Sequence, residues 1–295
     1  MEGQSQNKKL LKGMWSSNAV WSNSGYGVFS RDILFRMKKD GWDMGHIAWW
    51  GLQGHHIWSY GHDLIDDRFK DVKIKVYPCM GDIHGSDALI PHSANYGANV
   101  IFTMQDIPNL VPGILQQIKN WVSYTPIDKD PVPPNVLAQL RYAYKIITFS
   151  KFGQKALEKK VFTSTLILEG KYTDIFNPID KLEMRNNLKI PFKQFGLTEN
   201  AYMFGMVAAN KENPPRKGFE EAIGAFARFV KNHPDSCMFF HCQQKSPGGF
   251  PIVPYAQHLG IEKHLFFIDD YTAIFNSDSH RIAEEMNMFD ALLHP

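Results

Sequence analysis

The chain has 295 residues, of which 44% are hydrophobic and 21% charged, an ordinary balance for a folded globular protein rather than a disordered one. Its formal net charge of +2 lacks the basic excess that binding to nucleic acid or to an anionic membrane usually requires. The length suggests two domains of roughly 100–200 residues each. The three cysteines lack metal-site spacing, and no apolar run approaches the ~20 residues of a membrane span. The composition therefore predicts a cytoplasmic protein without a transmembrane segment.

Short apolar runs alternate with amphipathic stretches of helical length, which is the pattern of parallel α/β units. In the first half, the pattern predicts strands at 14–17, 44–50, 72–77, 100–104, 121–125, 145–149 and 166–168. Helices are predicted at 28–39 and at 152–160, the second with Ser150 as its N-cap. A charged, proline-containing and weakly periodic segment at 177–200 marks the expected boundary. The sequence thus predicts a Rossmann-like N-terminal domain over 1–176 and a second one over 177–295.

The second half continues the alternation but is short. Strands are predicted at 201–208, 237–241, 265–268 and 291–293, and helices at 219–231 and 279–288. About four strands are few for a doubly wound sheet, and the chain ends on an apolar strand with no polar tail. We therefore expect the second domain to be incomplete.

The first candidate site is the run Ser22-Asn23-Ser24-Gly25-Tyr26-Gly27, which stands between the first strand and its helix. Glycines let the backbone approach a ligand, and a helix N-terminus favours anions. The full GxGxxG fingerprint is missing, so a dinucleotide site is not indicated. A tight turn and a phosphate or sugar site both remain open.

The second candidate is the loop 210–218, which again lies between a predicted strand and a helix. It contains two prolines and three cations, Lys211, Arg216 and Lys217. A rigid cationic loop at the carboxyl end of a parallel strand suits a pyrophosphate group. The alternative is a solvated basic loop.

In their order and spacing, these segments resemble the retaining glycosyltransferases of family four, the superfamily of glycogen synthase and sucrose synthase. The resemblance covers nearly the whole chain. It rests on the first glycine loop and on the segments 37–43, 124–128, 147–153, 205–210, 216–218 and 290–295.

The resemblance implies a GT-B fold, in which two Rossmann-like domains face a cleft. Members bind a nucleotide sugar on the C-terminal domain and a glycan, lipid-linked or small-molecule acceptor on the N-terminal domain. They transfer the sugar with retention, generally without a metal. We accordingly expect a UDP-, GDP- or ADP-sugar as co-substrate and no further cofactor.

The resemblance also implies roles for particular residues. The donor diphosphate would be bound by Arg216, Lys217, Lys211, Gly25 and Gly27. Asp106 would orient or deprotonate an acceptor hydroxyl, although it could equally cap the turn before Pro108. The acceptor side or the cleft would be lined by Tyr26, Asp128, Ser150 and Tyr172.

Two departures from the family pattern bear on activity. Residues 169–172 read Glu-Gly-Lys-Tyr where relatives carry His-Gly-Val-Asp. The paired glutamates that contact the donor in the family would fall beyond Pro295, so we expect weak donor binding and little turnover. A non-catalytic binding or assembly module is therefore one alternative, and transfer to a modified nucleic-acid base is another.

A short run at 81–85, Gly-Asp-Ile-His-Gly, spells part of a metallophosphoesterase motif. Such an enzyme needs further Asp, Asn and His ligands to hold two metals, and no companion motif is present. The histidines between 46 and 92 also lack the spacing of a zinc site. No metal site is predicted.

Overall fold

The computed structural model describes residues 11–49, 58–61, 71–275 and 277–294. The chain divides into two compact units, Met1–Gly170 and Lys171–Pro295. This division lies slightly ahead of the boundary expected between 176 and 177. Within the described ranges, no helix is both long and apolar enough to cross a membrane.

The first domain contains an eight-stranded sheet in the order β3-β4-β2-β1-β5-β6-β7-β8. Its strands are β1 (Lys12–Asn18), β2 (Asp43–Trp49), β3 (Trp58–Gly61), β4 (Lys73–Pro78), β5 (Val100–Met104), β6 (Trp121–Thr125), β7 (Lys145–Thr148) and β8 (Thr165–Leu166). Its helices are α1 (Gly25–Lys39), α2 (Leu89–Tyr96), α3 (Pro112–Leu115), α4 (Pro134–Leu140) and α5 (Lys151–Glu158). All pairings are parallel except the one between β3 and β4.

The order of strands reverses at β1. The chain runs outward from β1 through β2 to β4, then returns to add β5 on the other side of β1. In register, Ser16 of β1 is paired with Ile47 on one side and with Thr103 on the other. Ligands of doubly wound sheets bind at the carboxyl ends of the strands beside such a reversal. The ends of β1 and β5 are therefore where a site is expected.

Both faces of the central strands β1, β2, β5 and β6 are largely buried, as is usual for parallel strands covered by helices. The largest enclosed side chains are two tryptophans whose indole N–H groups are both satisfied. Trp15 donates to Ser30 Oγ at 3.0 Å, and Trp121 donates to Thr103 Oγ1 at 2.8 Å. The hydrogen bonds allow indole rings to fill the core without leaving a buried donor unpaired.

His46 of β2 is completely buried, and its titration should make the stability of the first domain depend on pH. Burial lowers the pKa of His46 from 6.5 to about 4, although the hydrogen bond between Nδ1 and the Trp15 carbonyl opposes this. The unfolded state therefore binds a proton between these pH values and the folded state does not. We expect the free energy of unfolding to fall by about 3 kcal/mol as the pH is lowered across this window.

The measurement is urea unfolding followed by tryptophan fluorescence, because all seven tryptophans lie between Trp15 and Trp121, in the first domain. The control is His46→Asn, which keeps a donor for the Trp15 carbonyl and cannot titrate. The same pH dependence in both proteins would show that His46 does not cause it.

The second domain contains a four-stranded parallel sheet in the order β11-β10-β9-β12. Its strands are β9 (Tyr202–Val207), β10 (Ser236–His241), β11 (Leu265–Phe267) and β12 (Ala291–Leu292). Its helices are α6 (Lys181–Asn187), α7 (Phe219–Phe229), α8 (Ile252–His258), α9 (Asp270–Phe275) and α10 (Ser279–Met288).

The segment 177–200, which the sequence placed at the start of the second domain, carries regular structure of its own. It contains α6 and a 3-10 turn at Phe192–Phe195. Met184, Phe192 and Leu197 are buried and pack with β10 residues in one apolar cluster. The sequence did not predict these elements, because the apolar residues of the segment are widely spaced among charged ones.

A buried ionic network ties α6 to the sheet. Arg185 is 2% exposed, and its Nη2 lies 2.9 Å from Asp290 Oδ2. The same guanidinium donates to the carbonyls of Met288 and Glu199, each at 3.1 Å. Asp290 also accepts from the Met203 amide at 2.8 Å and pairs with Lys181. One carboxylate thus joins α6, β9 and the residues that lead into β12.

Candidate functional site

The first glycine run belongs to helix α1 rather than to the loop before it. Ser24 is the N-cap, and its Oγ accepts from the Gly27 amide at 3.1 Å. The helix was predicted to begin at residue 28, but this cap starts it at Gly25. The last residue of β1, Asn18, donates its amide to the same Ser24 oxygen, which ties the cap to the sheet.

The two glycines of this run differ in what surrounds them. A Cβ on Gly27 would lie 2.4 Å from the Ser22 carbonyl oxygen and 2.8 Å from that of Ala19. A Cβ on Gly25 would have no neighbour within 4 Å among the described residues. Packing inside the protein therefore explains Gly27, whereas Gly25 leaves open space in which a ligand could approach the helix N-terminus.

Alanine substitutions should separate these two roles. Gly27→Ala should lower the free energy of unfolding by about 1–3 kcal/mol, because the new methyl group meets backbone that cannot move away. Gly25→Ala should leave stability unchanged or raise it by up to about 1 kcal/mol, since alanine favours a helix. Urea unfolding by tryptophan fluorescence measures both, and equal effects would contradict the packing role of Gly27.

Two residues expected at the site, Tyr26 and Asp106, are in contact. The Tyr26 hydroxyl donates to Asp106 Oδ1 at 3.2 Å, joining α1 to the residues after β5. Asp106 precedes a 3-10 turn, Ile107–Asn109, but within the described residues its side chain makes no capping hydrogen bond. Burial and the neighbouring Asp106 carboxylate raise the pKa of Tyr26, so the phenol stays protonated and donates. The capping role considered for Asp106 is therefore not the one the structure shows.

Asp106 and Asp128 line the same cavity of about 210 Å³ in the first domain. The loops after β5 and β6 form it, and both carboxylates are exposed. Lys129 lies at the same cavity, whose apolar walls are Ile107, Ile127, Val132 and Val136. Two carboxylates beside an apolar wall can accept hydrogen bonds from a hydroxyl-bearing molecule.

Ser150 is the N-cap of α5, as predicted, and its Oγ accepts from the Gly153 amide at 3.0 Å. A Cβ on Gly153 would lie 3.0 Å from Ile127 Cβ, so this glycine lets the helix approach the loop after β6. Ser150 is not among the described residues that line the cavity. Its hydroxyl caps α5, and a direct role at a ligand stays a prediction.

The three cations of the cationic loop, residues 210–218, differ in their ion pairing. Arg216 Nε lies 2.6 Å from Glu212 Oε1, in an ion pair that is largely exposed. Among the residues that the structure describes, Lys211 and Lys217 form no salt bridge. The charges of the two lysines are thus available to a ligand, whereas that of Arg216 is shared with Glu212.

Both ends of this loop are fixed. At its start, Asn210 is 3% exposed, donates to the Phe250 carbonyl at 3.0 Å and accepts from the Phe250 amide at 2.8 Å. At its end, Gly218 takes a left-handed conformation, with φ of 63°, and forms the N-cap position of α7. Sequence reasoning missed the role of Asn210, for which the signal was that it is the first polar residue after β9.

Tyr172 lies in the second domain, in a turn where its carbonyl accepts from the amides of Ile175 and Phe176. Its expected role at the site stays a prediction.

The run at 81–85 is held by its own carboxylates. Asp82 accepts from the amides of His84 at 3.0 Å and Ser86 at 2.9 Å, and Asp87 accepts from the Gly81 amide at 2.8 Å. In the described ranges, which omit 50–57 and 62–70, no group of three or more His, Cys, Asp and Glu side chains could hold a metal ion.

Comparison with known proteins rests on structure, because no family model matches the sequence and no curated protein is similar to it in sequence. The sucrose-phosphate synthase of Thermosynechococcus elongatus superposes with a TM-score of 0.69 at 13% identity, over 96% of this chain and 75% of that one. An Escherichia coli trehalose-6-phosphate protein bound with UDP-2-fluoro glucose superposes with a TM-score of 0.60 at 10% identity, over 96% of this chain and 78% of that one. The chain has the GT-B fold.

A third protein of similar structure is the UDP-GlcNAc 2-epimerase of Neisseria meningitidis bound to UDP-GlcNAc. Its TM-score is 0.56 at 10% identity, over 96% of this chain and 76% of that one. At such identities the similarity shows the fold alone. In this GT-B chain, the Tyr26–Asp106 pair and its cavity belong to the first domain, and the cationic loop belongs to the second.

Proposed function

We propose that the protein is a glycosyltransferase that moves a sugar from a nucleoside-diphosphate donor to an acceptor hydroxyl with retention of configuration. The observation that carries this is the loop 210–218, which presents two lysines without salt-bridge partners among the described residues, next to the N-terminus of α7. The GT-B fold, shared with a sucrose-phosphate synthase and with a protein bound to UDP-2-fluoro glucose, supports it.

On the donor side, negative charge develops on the diphosphate as the bond to the sugar breaks. Lys217 and Lys211 would stabilise that charge, together with the partial positive charge at the N-terminus of α7. Arg216 would contribute less, because it already forms an ion pair with Glu212. Asn210 would keep the loop in place through its two hydrogen bonds to Phe250.

On the acceptor side, Asp106 would accept a hydrogen bond from the attacking hydroxyl and orient its oxygen. Tyr26 donates to the same carboxylate and so limits its rotation. Asp128, across the cavity, would accept from a second hydroxyl of the acceptor. A glycan, a lipid-linked sugar or a small polyol could each supply such hydroxyl groups.

A second candidate function is the epimerisation of a nucleotide sugar at C2. The structural similarity to the UDP-GlcNAc 2-epimerase favours it. The two reactions differ in what they require, since epimerisation needs no acceptor hydroxyl and leaves the sugar as a nucleotide derivative.

The test is to incubate the protein with UDP-, GDP- and ADP-hexoses, with and without a panel of polyol and glycan acceptors. Mass spectrometry detects a glycosylated acceptor, and NMR of the anomeric proton reports its configuration. We expect release of nucleoside diphosphate only when an acceptor is present, with the anomeric configuration of the donor retained. An acceptor-independent C2 epimer would support the second candidate, and binding without any product would indicate a non-catalytic module.

A further inference from the structure

A histidine stands at the carboxyl edge of the second sheet, where its parallel strands end. His241 is the last residue of β10, and its carbonyl accepts from the Ala208 amide at 3.3 Å. Ala208 lies directly after β9, at the start of the segment that leads into the cationic loop. His241 is therefore anchored beside that loop, at the carboxyl ends of the parallel strands.

The ring of His241 is held by a buried carboxylate. Glu285 of α10 is 0% exposed, and its Oε2 lies 2.6 Å from His241 Nδ1. Its other oxygen, Oε1, accepts from Arg281 Nε at 2.8 Å. Both oxygens of Glu285 are thus engaged, and Nδ1–H of the imidazole donates to the carboxylate. This contact fixes the orientation of the ring.

The second ring nitrogen has no such partner. The side chain of His241 is 9% exposed, yet Nε2 makes no hydrogen bond with any described residue. Nε2 is not fully enclosed either, because it is absent from the fully buried polar atoms without a hydrogen-bond partner. The ring is therefore more than nine-tenths buried, fixed at Nδ1, and has a hydrogen-bonding nitrogen in reach of solvent.

We propose that His241 binds a phosphate group of the donor through Nε2. In the bound state, the ring donates Nδ1–H to Glu285 and Nε2–H to a phosphate oxygen. Glu285 and Arg281 are then positioning residues, which hold the ring ready for the anion. This inference rests on the proposed function, since it takes the anion to be the diphosphate of the nucleotide sugar that Lys217 also contacts.

The alternative is that the histidine only fastens α10 to the sheet. Two variants separate the roles, because the asparagine amide nitrogen can take the place of Nδ1 and the glutamine amide nitrogen that of Nε2. His241→Asn keeps the bond to Glu285 and removes the ligand-facing donor. His241→Gln keeps a donor on the ligand side and weakens the bond to Glu285.

Isothermal titration calorimetry with UDP and with inorganic pyrophosphate measures the outcome. We expect His241→Asn to bind both about tenfold or more weakly than the wild type, while His241→Gln stays within about threefold. Melting curves by circular dichroism accompany both variants. Unchanged affinity in His241→Asn, with a lower melting temperature in His241→Gln, would overturn the proposal and leave a purely structural ion pair.

A measurement on the unaltered protein covers the case in which a variant fails to fold. With ¹⁵N-labelled histidine, addition of pyrophosphate should shift the Nε2 resonance of His241 and leave its Nδ1 resonance nearly in place. If UDP binds and Lys217→Ala weakens that binding, but the Nε2 resonance of His241 does not move, the inference fails and the proposed function stands. If pyrophosphate moves the resonance but no nucleotide sugar binds, the phosphate site stands and the proposed donor is wrong.

Discussion

Replacing Lys217 by alanine should weaken the binding of UDP about 10- to 100-fold and leave the free energy of unfolding unchanged. A charge-assisted hydrogen bond to a phosphate is worth about 1.5–3 kcal/mol, which corresponds to this range. Stability should not change, since Lys217 has no salt bridge among the described residues that the substitution could break. Isothermal titration calorimetry and urea unfolding measure the two effects.

Lys231→Ala is the matched control. Lys231 is an exposed lysine beyond the opposite end of α7, so its loss changes the net charge equally without touching the proposed site. Arg216→Ala should have a smaller effect than Lys217→Ala, because Glu212 already shares the guanidinium charge. Equal losses of UDP affinity in the Lys217→Ala and Lys231→Ala variants would mean that the domain attracts UDP only through its overall charge.

Replacing Asp290 by alanine should destabilise the second domain by about 3–5 kcal/mol. The substitution leaves the guanidinium of Arg185, which is 2% exposed, without its carboxylate, and a buried unpaired charge carries this penalty. Circular dichroism in urea should show an earlier transition of the second domain. Tryptophan fluorescence should be unaffected, because every tryptophan lies in the first domain.

Glu199→Gln provides the comparison, because its carboxylate pairs with Lys193 on the surface and both side chains are mostly exposed. Its loss should change stability by less than about 1 kcal/mol. Burial alone would raise the pKa of Asp290, but the hydrogen bonds from Lys181, Met203 and Arg185 lower it overall. A lowered pKa stabilises the folded state at neutral pH, and this contribution is lost as the pH falls through it. Similar losses of stability in Asp290→Ala and Glu199→Gln would contradict the role of the buried ionic network.

The sequence predicts elements best where an apolar run is bounded by clear turns. The predicted limits of β5, β6 and α10 are those observed, and the doubly wound sheet was confirmed, although the antiparallel strand β3 was not predicted. Short helices that begin at or near proline, such as α4, were missed because proline also marks loops. The cap at Ser24 was overlooked for a related reason, since the two glycines after it favoured a loop.

The candidate residues show a different limit. Sequence order indicated that Tyr26 and Asp106 each follow a strand, but only the sheet order places β1 beside β5 and so brings the two side chains together. The pairing of Arg216 with Glu212 is a property of the folded loop. Glu285 shows in the sequence as a polar residue in a predicted helix, yet its partner His241 lies on a strand far away in the chain. Partners brought together by tertiary structure leave no local pattern.

The most direct test of the proposed donor site is amide NMR of the ¹⁵N-labelled protein during titration with UDP-glucose, GDP-mannose and ADP-glucose. If the cationic loop binds the diphosphate, one of these should shift the backbone amides of Lys217, Gly218 and Phe219, at the N-terminus of α7. The amide resonances of Ala208 and Asn210 should also shift, since these residues lead into the same loop. Saturable shifts at these positions are the predicted result. Shifts confined to other surfaces, or none with any of the three donors, would contradict the assignment.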